Sequence, residues 1–205
     1  MDWIGMGVKR LLLALVLGLA CGVALTACDK PAESRFNAID ITGANYAQQW
    51  RLPDTNGQER SLQDFQGKVV YIFFGFVQCP EVCPTTMLEM AQVKEMLGID
   101  GDKLQVIFVT VDPDRDTPEI LREYVRAFDP EAVSLVGNAD QLASMAKEFK
   151  VVYQKVPGPT AETYTMDHSA GGYIYDPLGN LRLYAKYGTP ASELASDIRK
   201  LISGN

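Results

Sequence analysis

The sequence predicts an α/β fold, a central mixed sheet flanked by helices with a hairpin ahead of it. Three observations carry this. Residues 68–76, Lys-Val-Val-Tyr-Ile-Phe-Phe-Gly-Phe, form an unbroken apolar, β-rich run, the mark of a strand buried on both faces. Strand-like and helix-like segments then alternate through the middle of the chain, which implies right-handed parallel units. Two strand-like runs joined by a turn, followed by an amphipathic segment, imply a closing antiparallel hairpin and a terminal helix.

Taken in order, the chain opens with Lys9 and Arg10, then 17 apolar or small residues, 11–27, without a charge. That is the pattern of an export signal. It ends Leu25-Thr26-Ala27-Cys28, similar to a bacterial lipobox, where the peptide is cut before the cysteine and the cysteine takes the lipid. Asp29 resembles the residue that retains such lipoproteins at the inner membrane. The segment also meets the lower end of a spanning length of about 17–25 residues, so an uncleaved signal anchor is the alternative. Both readings leave the rest of the chain on the extracytoplasmic (periplasmic) side of the inner or plasma membrane. Residues 1–27 are therefore read as signal, 28–40 as a polar tether, and 41–205 as the folded domain.

Within that domain, residues 49–52 and 59–62 are short runs around Asn56-Gly57, a hairpin signal. The buried strand at 68–76 follows. A helix spans 84–97, with Pro84 in its first turn and Gly98 closing it. Residues 104–111 are a second apolar strand. Thr117-Pro118-Glu119 places a cap and a first-turn proline at the head of a helix to about Phe128. Leu135-Val136 is a short strand, Asn138 opens a helix to about Lys150, and 151–156 is a strand. Residues 157–168, with two prolines, read as a loop. Runs at 172–175 and 181–184 flank the turn Asp176-Pro-Leu-Gly-Asn180, and 190–202 is the terminal helix. The order β-β-β-α-β-α-β-α-β-β-β-α is the thioredoxin plan. In open sheets of this sort ligands sit beyond the carboxyl ends of the strands.

Without residues 1–27, 178 residues remain, enough for one domain with a real core, carrying 17 basic against 25 acidic side chains. The absence of a basic cluster argues against nucleic acid and against an electrostatic hold on anionic lipid. Of four cysteines, Cys21 lies in the signal and Cys28 at the lipobox, leaving Cys79 and Cys83 as the thiols of the domain. A disulfide between them would close a tiny loop and constrain the unfolded chain little, so stability is a weak reason for the pair.

The pair stands where a ligand site is expected, in Cys79-Pro-Glu-Val-Cys83-Pro84 directly after the central strand. Pro84 biases Cys83 towards an extended cap position, and a helix N-terminus favours thiolate over thiol. Close thiolates suit a soft metal and equally a redox exchanger. His168 is the one histidine of the chain. Alone it says little, but two cysteines and a histidine suit copper or zinc. Asp112 ends the strand beside the central one, so it opens on the same edge, either supporting the site or simply capping a strand-to-helix loop with Asp116 and Thr117. Met166 is a soft donor for which packing is the simpler reading; Met87 and Met90 belong to a helix core face.

Three blocks, Cys79-Pro-Glu-Val-Cys-Pro-Thr-Thr86, Asp112-Pro-Asp-Arg-Asp-Thr-Pro-Glu119 and Asp167-His168-Ser169, resemble the signature blocks of the Sco/SenC family in order and separation across about residues 45–203. Glu81 stands where the family more often has Asp. The resemblance implies a thioredoxin-like domain binding one copper ion, Cu(I) or Cu(II), through Cys79, Cys83 and His168, with Asp112 as the acidic residue near the site. It implies delivery to the binuclear copper site of cytochrome c oxidase. It also implies a redox-active Cys79–Cys83 pair, and so an upstream thiol reductant and a copper donor as partners besides the oxidase's copper-bearing subunit. Some family members are described as thiol–disulfide reductases, which is the alternative function; it needs the cysteines only, whereas a three-coordinate metal uses His168 as well.

Overall fold

The computed structural model describes residues 36–160 and 163–204. The signal at residues 1–27 and the lipobox Cys28 lie outside the described residues, and no helix among the described residues is long and apolar enough to cross a membrane. Strands β1 (Ile39–Asp40), β2 (Leu52–Pro53), β3 (Glu59–Arg60) and β4 (Val69–Gly75) lead to helix α1 (Val82–Leu97). There follow β5 (Leu104–Thr110), α2 (Pro118–Arg126), β6 (Val133–Leu135), α3 (Ala139–Phe149), β7 (Tyr153–Pro157), β8 (Tyr164–His168), β9 (Gly172–Tyr175), β10 (Leu181–Ala185) and α4 (Ala191–Ile202).

The main sheet has the order β1-β10-β9-β4-β5-β6. β4 runs parallel to β5 and β5 parallel to β6, whereas β9 is antiparallel to β4. This is the mixed sheet expected from the element order. Every residue of β4 and β5 is buried, as a two-sided apolar run requires. The core is knitted by aromatic edges: Phe73 meets Phe108 at 5.2 Å, Phe74 meets Phe149 at 5.2 Å, and Phe149 meets Tyr173 at 5.1 Å between centroids.

The N-terminal hairpin is present as β2–β3. Its turn is held by Asp54, whose Oδ1 accepts from the backbone N–H of Asn56 and Gln58, while Oδ2 accepts from Arg60 Nε at 2.9 Å. Gly57 takes φ 76°, which only glycine adopts without strain. Thr117 caps α2 with Pro118 behind it, and Asn138 with Gln141 forms a capping box on α3.

Three local expectations change. Residues 36–40, read as tether, are packed. Phe36 and Ala38 are buried, β1 pairs with β10, and the buried carboxylate of Asp197 on α4 accepts the N–H of Asn37 and of Ala38 at 2.8 Å each. A carboxylate 160 positions away leaves no trace in local composition. Helix α1 begins at Val82, ahead of Pro84. Residues 157–168, read as a loop, contain β8, paired antiparallel with β7 from Tyr153↔His168 to Pro157↔Tyr164. The prolines at 157 and 159 fall at or beyond the end of β7 and leave the return strand free to pair.

Candidate metal centre

β4 delivers the chain to the ligand edge and α1 takes it away; Cys79 lies in the loop between them and Cys83 is the second residue of the helix. The expected extended cap at Cys83 is not adopted. Glu81 is the cap residue, with φ −140° and ψ −59°. Proline is tolerated at Pro84 because the first N–H groups of a helix have no partner within it, so the missing donor is not missed. The N–H of Cys83, free for the same reason, points at Cys79 Sγ at 3.5 Å. Gly75 makes the room: a Cβ there would lie 2.5 Å from Cys83 Sγ and 3.1 Å from Phe108 Cε2.

The third member arrives on the β7–β8 hairpin. His168 ends β8, and its Nδ1 donates to the carbonyl of Ser169 at 3.0 Å. A carbonyl only accepts, so the proton sits on Nδ1 and the lone pair on Nε2. Nε2 is 3.8 Å from Cys83 Sγ. The ring meets the edge of Phe76 at 5.8 Å and 89°. Burial holds the His168 pKa below its ordinary value, so the neutral, ligating form is the one favoured. Ligand atoms of Cys79, Cys83 and His168 all lie within 4.8 Å of one another. A ring nitrogen freed for a metal by a hydrogen bond on the other nitrogen is the usual arrangement of a histidine ligand.

The thiol chemistry departs from the helix-terminus expectation. Cys83 has 0% exposure, and burial pushes its thiol far above the usual range, with Cys79 and the carboxylate of Asp116 adding to it. Desolvation of a thiolate here outweighs the partial charge of the helix end. Cys83 therefore stays a thiol until a cation replaces its proton, a coupling expected of metal binding.

The polar partners of Asp112 lie beside the site rather than in it. Its buried carboxylate pairs with Arg115 and accepts from Tyr164 Oη at 2.8 Å. Asp116 caps nothing; its buried carboxylate accepts from Thr110 Oγ1 at 2.6 Å and from the N–H of Val77 at 3.1 Å, anchoring the loop that leads to Cys79. Met166, Met87 and Met90 are core residues. Sequence reasoning missed Gly75, Arg115 and Tyr164; the only signal for Gly75 was a glycine inside an otherwise bulky buried strand.

A model of the family described as SCO1/SenC matches residues 40–203. A SCO2-like protein of Rickettsia typhi is 32% identical over 189 residues, covering 92% of this chain and 93% of the relative. The copper-bound structure of Bradyrhizobium japonicum ScoI superposes with a TM-score of 0.68 at 35% identity, over 75% of this chain and 97% of that one. The apo Sco1 protein of Thermus thermophilus gives 0.71 at 32% identity, over 82% and 99%.

Proposed function

The chain belongs to the SCO1/SenC family, and from that premise we propose that it is a copper chaperone that carries one ion between Cys79, Cys83 and His168 and passes it to the copper-bearing subunit of cytochrome c oxidase. The observation that carries the reading is the convergence of two sulfurs and an imidazole lone pair within 4.8 Å. Two thiolates satisfy Cu(I), and the imidazole adds the harder donor that Cu(II) accepts well. Loading exchanges two thiol protons for the ion, so it requires the reduced pair; a Cys79–Cys83 disulfide must first take up two electrons and two protons from an upstream thiol reductant. Delivery is the reverse exchange, in which the recipient's ligands displace these one at a time and the thiols recover their protons.

Support against the reductase alternative comes from exposure. A reductant needs an accessible thiolate, whereas Cys79 is 8% and Cys83 0% exposed, and burial keeps the Cys83 thiol protonated. Zinc fits the same donor types, so metal analysis of the purified reduced chain is the first test: one copper per chain in the wild type, none in the Cys79→Ser/Cys83→Ser double variant. In cells, His168→Ala should impair oxidase assembly at low copper with protein levels matched. Normal assembly there, with failure only of the cysteine variants, would favour the reductase.

The site serves a membrane-bound recipient, and attachment through lipidated Cys28 would hold it at that surface. Cys28→Ala should block signal processing and lipid labelling; normal processing and labelling would leave the signal anchor as the attachment.

A further inference from the structure

Among the described residues, the two halves of the metal cluster share no strand pairing. Cys79 and Cys83 stand beyond β4 of the main sheet, while β8, which ends in His168, pairs only with β7 among the described residues. Chain on both sides ties the base of that hairpin to the body, through α3 at one end and β9 at the other. Backbone bonding therefore does not set the tilt of the hairpin, and with it the aim of the imidazole. Side-chain contacts must do so: Met166 packs into the core, His168 meets the Phe76 ring, and the outer end at Tyr164 is docked by polar groups.

We infer that Arg115 is the positioning residue of this centre: its guanidinium pins the His168-bearing hairpin to the loop that leads into Cys79. Its Nε pairs with the buried carboxylate of Asp112. Its Nη1 donates to Gln78 Oε1, next to Cys79, at 3.0 Å, and to the carbonyl of Tyr164, the first residue of β8, at 2.9 Å. The guanidinium lies 3.6 Å from the centroid of the Tyr164 ring and 5.8 Å from that of Phe76, the ring against which His168 packs. Asp112 closes the loop by accepting from Tyr164 Oη on its other oxygen. Three segments, 76–79, 112–115 and 164–168, thus meet on one planar fork. A fork with five donors and a stacking face can serve all three at once; an ammonium cannot. The other charge pair on the hairpin, Lys155 with Asp114, is exposed at 49% and 74% and a weak substitute.

The metal readouts of this proposal rest on the copper-binding reading; its metal-free readout does not. On the full-length chain, Arg115→Gln should speed amide hydrogen exchange across residues 164–168 by about tenfold or more, the loss expected for charged hydrogen bonds, and leave β4 and β5 unchanged. Loaded with Cu(II), the variant should lose the nitrogen-ligand signature in electron paramagnetic resonance. It should still take one Cu(I) on the cysteine pair. Arg115→Lys should behave like Arg115→Gln, because the fork and not the charge is at issue. Gln78→Ala removes one arm and should give the same pattern at smaller amplitude, which decides the matter should Arg115→Gln not fold. Wild-type exchange and a wild-type Cu(II) spectrum in Arg115→Gln or Gln78→Ala would overturn the assignment, as would full rescue by lysine. Should the wild type itself take no copper, the chaperone reading falls, and the exchange measurement alone still decides the role of Arg115.

Discussion

The cysteine arm and the histidine arm of the centre are built differently. The cysteine arm is part of the core: β4 is buried throughout, Cys83 packs against the space left by Gly75, and α1 carries Met87 and Met90 into the interior. The histidine arm is a two-stranded hairpin outside the main sheet, with residues of β7 and β8 half exposed or exposed except for Met166. A two-stranded ribbon alone is marginal in water, so its place depends on docking contacts. The difference separates two tasks. The soft pair is held by packing and is hard to perturb without harming the fold. The third donor sits on a hairpin held by side-chain contacts, Met166 in the core, Phe76 against the imidazole and the polar contacts of Arg115 at the outer end.

The comparison breaks most completely at the sulfurs. Cys83→Ser should abolish tight copper binding, exceeding the about 10–100-fold weakening that follows loss of an outer hydrogen bond. Copper titration against a competing chelator measures it, and near-wild-type affinity would remove the cysteine arm from the site. Gly75→Ala comes next. A Cβ 2.5 Å from Cys83 Sγ forces the thiol or Phe108 to move, so about 1–3 kcal/mol of stability should be lost together with copper affinity. Denaturant unfolding reads the first and the same titration the second.

His168→Ala tests the other arm. Cu(II) affinity should fall by at least the about 10–100-fold that loss of an outer hydrogen bond costs, Cu(I) affinity much less, and exchange of the cysteine pair with a small disulfide should be unchanged. Equal losses for both oxidation states would show that the arms do not divide the work in this way.

The pH dependence of the metal-free chain sharpens the contrast, because the two arms bound opposite sides. The folded His168 has a lowered pKa, so the unfolded chain binds the proton first as pH falls. Stability contributed by the neutral imidazole is complete above about pH 6.5 and is lost as pH drops below it. The folded Cys83 has a raised pKa, so its contribution is complete below about pH 8.5 and is lost as pH rises beyond that. Urea unfolding from pH 5 to 10 should show both slopes. His168→Gln should flatten the acid side, and Cys83→Ser the alkaline side. The smallest effect is expected at Lys155→Ala, which removes the exposed pair with Asp114 and should leave copper affinity and stability within error of wild type.

How much of this could be read without coordinates depends on the range of the interaction. Local chemistry was legible: the apolar run that became β4, the Thr117-Pro118 and Asn138 caps, and the Asn56-Gly57 turn are all written in a few adjacent residues. The cysteine pair was legible too, since a strand end, a short spacer and a helix start fall in one stretch. The return strand β8 was not. Its pattern follows two prolines, and its one partner among the described residues, β7, is itself half exposed, so no hydrophobic alternation marked it. Capping by Asp116 is one of the two readings the sequence leaves open for this loop; its carboxylate turns inward to Val77 and Thr110 instead.

The sequence by itself determined the mixed α/β plan and the position of Cys79 and Cys83 at its ligand edge, because residue type and short-range periodicity decide both; His168 became a candidate through its place in the third signature block. Tertiary structure alone decided that Nε2 of His168 comes within 3.8 Å of a sulfur 85 positions away, that the Asp112 carboxylate pairs with Arg115 and accepts from Tyr164, and that Cys83 is a buried thiol rather than a helix-end thiolate. Distance and desolvation are properties of what the rest of the chain packs around a group. They appear only when segments far apart in sequence close over the same small space.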